Sequence, residues 1–172
     1  WISMMALCKI GAVAIPATHM LTASDIVYRN QRASVKAIIC VNDEYVTTQV
    51  REAMSESPTV EVLVAVNSLA QKGCPVAEGF HDWFAEWENA PTFVRPENVN
   101  VNEDTMLMYF TSGTSGEPKM VAHDHLYALG HLVTGVFWHN LDEDSIHLTV
   151  ADTGWGKAVW GKLYGQWFAG AT

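Results

Sequence analysis

Short β-branched runs alternate with stretches of helical period, and no other feature constrains the fold of this chain as strongly. Residues 37–41 (Ala37, Ile38, Ile39, Cys40, Val41) and residues 60–66 (Val60 to Val66, broken only by Glu61) read as buried strands. Between them Asn42 or Asp43 is placed to cap a helix reaching about Glu56, which Pro58 stops. Thr22 and Asp25, in a T-x-x-D start close to a capping box, open an earlier helix that runs to about Ala33. Before it, residues 1–10 carry an apolar face at helical spacing, Gly11 ends that helix, and residues 13–15 form a short strand ended by Pro16. Strands alternating with helices of about ten residues or more define βαβ units, so the expectation is an α/β fold around a mostly parallel sheet.

The second half is less regular. Residues 67–78 read as a loop, 80–88 as a short aromatic helix with Trp83, Phe84 and Trp87, and 89–103 as an extended connector containing prolines. A strand is expected at 105–110, a polar stretch at 111–119, and a resumed strand at 120–122. A helix over 125–138, a strand over 145–150 and a last helix over 155–169 complete the order. If the chain divides, residues 91–102 are the place, although they lack the composition of a flexible linker.

Composition then narrows the setting. The 172 residues are 49% hydrophobic and 17% charged, a globular profile. With 10 Lys+Arg against 19 Asp+Glu the net charge is -9, which argues against nucleic acid or an anionic membrane surface as partner. It leaves nucleotide binding open, since that needs only a local cradle. Cys8, Cys40 and Cys74 form no C-x-x-C pair, so a disulfide scaffold or zinc knuckle is not indicated, and a reducing, cytoplasmic setting fits. The first residues lack a basic leader, and no uncharged apolar run reaches the roughly 18 residues of a membrane span. Trp1 starts inside a hydrophobic pattern and residues 155–172 run apolar and glycine-rich to Thr172. Both edges read as cuts through a core, so an internal piece of a longer chain is expected, with apolar surface that could drive self-association.

One stretch carries chemistry. Directly after the strand at 105–110 come Thr111, Ser112, Gly113, Thr114, Ser115, Gly116, Glu117, Pro118 and Lys119. Glycines let backbone N–H groups approach an anion, hydroxyls add small donors, and a lysine adds mobile positive charge. The spacing is neither that of a Walker A loop nor G-x-G-x-x-G. Composition alone leaves two readings, an exposed hairpin loop or a polyphosphate cradle.

The order of the nine residues resembles the phosphate-binding loop of the adenylate-forming enzymes, which include acyl-CoA synthetases, aryl-CoA ligases, luciferases and peptide-synthetase adenylation domains. Ala151, Asp152, Thr153, Gly154 and Trp155 resemble the Asp-x-Gly-Trp segment of acetyl- and medium-chain acyl-CoA synthetases, and residues 21–29 resemble a helix start in the medium-chain group. The resemblance implies part of the large N-terminal, AMP-binding domain of such an enzyme across residues 1–172. It implies attack of a carboxylate on the α-phosphorus of ATP, giving an acyl-adenylate and diphosphate, then displacement of AMP by the thiol of CoA. ATP, a short- or medium-chain fatty acid, CoA and Mg2+ are the implied ligands; an aryl-acid or amino-acid adenylating enzyme and a noncatalytic nucleotide-binding module are the alternatives. Thr111, Ser112, Thr114 and Ser115 are the implied hydrogen-bond donors to the β- and γ-phosphates. Gly113 and Gly116 let the loop fold over them, Glu117 and Pro118 complete it, and Lys119 is a point charge on phosphate.

Trp155, Gly156 and Lys157 are the implied acyl-binding segment. A glycine after the tryptophan enlarges the pocket, which points to an acid longer than acetate. The rival reading makes a core stripe of Trp155, Val159, Leu163 and Trp167, with Trp160, Tyr164 and Phe168 beside it. His123, His125, His131 and His139 raise a metal site, but no Cys or carboxylate completes zinc-like spacing, and Asp124 or His125 reads better as lying near a helix N-cap. Asp142, Glu143 and Asp144 read as a solvated turn. No catalytic residue is expected here: the adenine-binding segments, the magnesium-holding glutamate, the ribose-binding aspartate and the catalytic lysine of the family have no counterpart in these residues, and turnover by this chain alone is not expected.

Overall fold

The computed structural model describes residues 1–97, 100–112 and 116–172. It forms two compact units, Trp1–Thr18 with Val94–Thr172, and His19–Phe93. In chain order the main elements are α1 (Ile2–Ile10), α2 (Ala23–Ala33), β1 (Ala37–Val41), α3 (Glu44–Ala53), β2 (Val62–Val66), β3 (His81–Asp82) and α4 (Trp83–Asn89). There follow β4 (Thr105–Thr111), β5 (Lys119–Asp124), α5 (Tyr127–Gly130), α6 (Gly156–Val159) and α7 (Gly165–Ala169).

The unit of residues 19–93 follows the alternation seen in its sequence. Thr22 and Asp25 form a full capping box: the Asp25 N–H donates to Thr22 Oγ1 at 3.3 Å, and the Thr22 N–H donates to Asp25 Oδ2 at 3.1 Å. Those donors, the Thr22 hydroxyl first, hold the Asp25 carboxyl below its ordinary range, against the opposing effect of burial. Asp43, rather than Asn42, caps α3, accepting from the N–H groups of Tyr45 and Val46. Asn42 instead donates to Asn67 Oδ1 at 2.7 Å, tying the ends of β1 and β2 together. β1, β2 and β3 form a parallel sheet in that order, with Ala37 opposite Val62 and Val64 opposite His81. Ile26, Val50 and Ala53 centre its core, with Ile38, Leu63 and Phe80 packed against them.

The other unit is built on a hairpin. β4 and β5 are antiparallel, with Thr111 opposite Lys119 and Tyr109 opposite Val121. Residues 13–15, expected as a strand, contribute only a parallel bridge from Ala14 to Leu107. Gly11, at φ 71°, ends α1 in the left-handed region where glycine is favoured. Leu107, Leu163, Met106 and Val159 lie at the core, with α1 packed over them through Met4 and Leu7.

Two further expectations in this unit are corrected, and a third holds with a change of helix type. The helix expected over 125–138 is broken into α5 and a π-helical turn at Thr134–Trp138. Gly130, Val133, Thr134 and Gly135 are poor helix formers, and Gly135 sits where a Cβ would strike the Gly165 carbonyl oxygen. The helix expected over 155–169 is helical from Gly156 to Ala169 but π-helical in the middle, at Trp160–Tyr164. Residues 145–150 are extended without a strand ladder. Their side chains alternate as in a strand, Thr149 buried while Ile146, Leu148 and Val150 are 89%, 85% and 88% exposed, and the segment is tied to Thr172 by two backbone bonds, the His147 N–H donating to the Thr172 carbonyl and the Thr172 N–H to the Ser145 carbonyl.

Candidate functional site

The hydroxyl, glycine and lysine stretch lies at the loop end of the β4–β5 hairpin, between Thr111 and Lys119. Thr111 closes β4 and Lys119 opens β5, and the Thr111 hydroxyl lies 3.5 Å from the Lys119 carbonyl oxygen, as donor to it. Thr111, Ser112, Gly116, Glu117 and Lys119 are all exposed, and Pro118 is half-buried. Gly116 has φ 106°, a backbone conformation that side-chain-bearing residues rarely adopt. Gly113, Thr114 and Ser115, assigned to the phosphate loop from sequence, lie outside the described residues. The Lys119 ammonium has no ion-pair partner among the described residues. The described flanks of the stretch, residues 111–112 and 116–119, leave hydroxyls and a cation facing solvent.

A cavity of about 570 Å³ begins at this end, a size typical of small-molecule sites. Thr111 and Ser112 line it, and so do Tyr109, Phe110, Val121 and His123 from the hairpin. Gly154, Trp155 and Gly156 line it from the segment before α6. That segment is clasped to residues 17–18: Asp152 accepts from the Thr18 hydroxyl at 3.0 Å and from the Gly154 N–H at 2.8 Å, and Thr153 donates to the Ala17 carbonyl at 3.1 Å. A Cβ on Gly154 would lie 2.5 Å from the Thr18 nitrogen, so the glycine is what lets the segment lie so close. At Gly156 a Cβ would meet, among the described residues, only Tyr109 Cε2, at 3.9 Å. The glycine there leaves space that a larger residue would fill. Trp155 is 70% exposed while lining the cavity, so it is no part of a core stripe. Lys157, grouped with these two in the sequence, is not a lining residue and lies near His139 instead.

Tyr127, His131 and Trp160 complete the lining, and sequence reasoning did not place them there. They belong to a row of touching rings. His123 and Tyr127 are 4.4 Å apart between centroids, Tyr127 and His131 4.5 Å, and His131 stacks on Trp160 at 5.4 Å and 14°. His139 also stacks on Trp160, at 5.4 Å and 24°, and His147 stacks on His139 at 4.7 Å. A signal existed: His123, His131, His139 and His147 recur every eight residues. Burial pushes the His131 imidazole below its ordinary pKa, with His123 adding to the effect; burial, then His147 and Lys157, do the same for His139. Burial raises the Tyr127 phenol to about 12 and moves Tyr109 well above its usual range. No Asp, Glu, Lys or Arg is among the described lining residues.

His125, considered as a metal ligand from sequence, is turned onto Asn100, whose Nδ2 lies 3.1 Å from His125 Nε2. Asp124 accepts from the Leu126 N–H at the turn into α5. Asp142 accepts from the Ser145 hydroxyl at 2.6 Å within a turn. No group of three or more His, Cys, Asp or Glu converges among the described residues. No helix among them is long and apolar enough to cross a membrane.

A parallel sheet in one unit and, in the other, a hairpin whose Thr111 and Ser112 line a cavity are the features to set beside known proteins. The family model described as AMP-binding enzyme matches residues 1–172, and the chain belongs to that family. It is 34% identical to mouse "Acyl-coenzyme A synthetase ACSM5, mitochondrial" and 31% identical to human "Acyl-coenzyme A synthetase ACSM3, mitochondrial", in each case over 99% of this chain and 28% of the relative. It therefore spans under a third of the length of these relatives. The fold is that of a crystal structure of the anthranilate CoA ligase AuaEII in complex with anthranoyl-AMP, with a TM-score of 0.85 at 22% identity, covering 99% of this chain and 31% of that one. Acetoacetyl-CoA synthetase from Streptomyces lividans shares it, with a TM-score of 0.79 at 20% identity, over 99% of this chain and 27% of that one.

Proposed function

We propose that the full-length protein carrying these residues is an ATP-dependent acyl-CoA synthetase acting on a short- or medium-chain fatty acid. The observation that carries this reading is a shared boundary: Thr111 and Ser112 belong both to the hydroxyl-rich loop and to the cavity lining. A carboxylic acid held in the cavity with its carboxylate at Thr111 would lie beside phosphates held by the loop. Its oxygen attacks the α-phosphorus, diphosphate leaves, and the CoA thiol then displaces AMP. The demand on the protein is to hold a leaving group of growing negative charge. Thr111, Ser112, Thr114 and Ser115 supply donors for it and Lys119 supplies charge. A magnesium ion, when bound, would neutralise part of the same charge.

The space left by Gly156 supports an acid longer than acetate. An amino-acid substrate is disfavoured, because its ammonium would meet no carboxylate among the described lining residues. An aryl acid remains the close rival, since the ring-lined wall suits it and a structural relative is an anthranilate CoA ligase. A reducing compartment fits three free thiols; we favour the cytoplasm, and a mitochondrial one, as in the names of the relatives, is the rival.

The test is diphosphate release by the full-length protein with ATP, CoA and a panel of fatty, aryl and amino acids. Release with fatty acids supports the reading, release with aryl acids alone moves it to the rival, and none with any acid leaves a noncatalytic nucleotide-binding module. Lys119→Ala is expected to slow adenylation by about 10²-fold or more, the scale for losing one transition-state donor. An unchanged rate removes Lys119 from the phosphate site. The 172-residue chain alone is expected to form no acyl-CoA.

A further inference from the structure

Along the hairpin the cavity changes character. Thr111 stands opposite Lys119 at the loop end, while His123 stands opposite Leu107, four residues further back. At the rise of a strand that separation is roughly 13 Å. The lining therefore runs from hydroxyls at Thr111 and Ser112 to rings at His123, Tyr127, His131 and Trp160. An acid whose carboxylate sits at the hydroxyl end must direct its tail at the rings.

Trp160 is the largest of these rings, and it is held in place by groups outside the cavity. His139 stacks on it, His147 stacks on His139, and His147 Nε2 lies 2.8 Å from Thr149 Oγ1. The Thr149 hydroxyl, itself buried, donates to the carbonyl of Gly161 at 2.8 Å, which fixes the backbone next to Trp160. On the cavity side His131 stacks on the same indole, and its Nδ1 lies 3.3 Å from the Thr134 hydroxyl. An indole supported this way cannot swing aside cheaply.

Resting on the acyl-CoA synthetase reading, we propose that Trp160 is the stop that sets the longest acid this enzyme accepts, and that His139, His147 and Thr149 are positioning residues that keep the stop rigid. The wall has no Asp, Glu, Lys or Arg among its described residues and has its rings packed against one another, so it selects by length and rejects a tail ending in charge. Trp160→Ala opens the cavity toward His139 and admits longer tails.

The experiment measures kcat/KM of the full-length protein for straight-chain carboxylic acids of increasing length, by diphosphate release. Trp160→Ala is expected to raise the ratio for acids beyond the wild-type limit over acids within it by about tenfold or more, the discrimination attached to one or two methylenes. Trp160→Phe, which fills most of the space, is expected to shift the ratio less, and it carries the test if the alanine variant fails to fold. His139→Ala is expected to shift the ratio in the same direction through KM for the acids, with KM for ATP unchanged. His139→Phe, which keeps a flat ring, should restore it. Wild-type ratios in all four variants would overturn the proposal while leaving the synthetase reading intact. A wild-type protein inactive with every acid would defeat that reading first, and the stop would fall with it.

Discussion

At the scale of single residues, the geometry around Gly154 leaves no room for a side chain. The chain at 17–18 passes so close that a Cβ would lie 2.5 Å from the Thr18 nitrogen and 3.0 Å from the Ala17 carbonyl carbon. Both are backbone atoms, which cannot rotate away as a side chain can. Gly154→Ala is expected to destabilise the fold by about 1–3 kcal/mol, the range for forcing extra atoms into a packed site. A urea midpoint equal to wild type would show that the segment gives way. The imidazoles make a second test. His131 and His139 have folded-state pKa values below the unfolded value of roughly 6.5, so the unfolded chain binds protons first as pH falls. Their contribution is intact above that value and is lost through the window below it. His139 faces Trp160, His147 and Lys157, and His131 faces His123, Tyr127 and Trp160, with no carboxylate among these neighbours to rescue the charge. The drop in stability from pH 7.5 to 5.5 is expected to be smaller in His139→Gln than in wild type. An equal drop would show that His139 protonates without cost.

At the scale of elements, what the sequence discloses depends on whether a local rule decides the matter. Thr22 and Asp43 cap their helices because short oxygen-bearing side chains can reach the first free N–H groups, and that chemistry is local. β1 and β2 are legible because their β-branched runs are bounded by caps and turns. The π-helical turns at Thr134–Trp138 and Trp160–Tyr164 are set by non-local contact, above all the approach of Gly135 to Gly165, and periodicity is blind to that. The cavity divides the same way. Thr111, Ser112, Trp155 and Gly156 were identifiable from short motifs, whereas Trp160 and His131 enter the wall only through their stacking across the fold. Thr22→Ala removes a local rule, and its expected cost is about 1 kcal/mol, read from the denaturant midpoint. A change below a few tenths would mean that Ser24 or water takes over the cap. Gly135→Ala removes a non-local one and should cost more, because backbone must part from backbone.

At the scale of the molecule, charge and apolar surface pull in opposite directions. The chain carries -9 net charges, which keep copies apart. It also presents Ile146, Leu148 and Val150 on one side of an extended segment, with Phe137 and Trp138 exposed to 75% and 81%. Side chains of this size in a row are rarely left to water, and an extended backbone without a strand partner invites pairing with another. The 172-residue chain is therefore expected to self-associate, and salt identifies the cause. At roughly 1 M ionic strength the screening length falls to about 3 Å, so repulsion between acidic surfaces is removed while apolar attraction is not. Sedimentation should show the average mass rising with salt. Replacing Ile146, Leu148 and Val150 together by Thr keeps the β-branched or extended preference of the segment but removes much of its apolar surface, and should return the chain toward monomer at both salt levels. Association that weakens with salt would point to ion pairs between copies instead, and association untouched by the triple substitution would move the sticky surface away from residues 146–150.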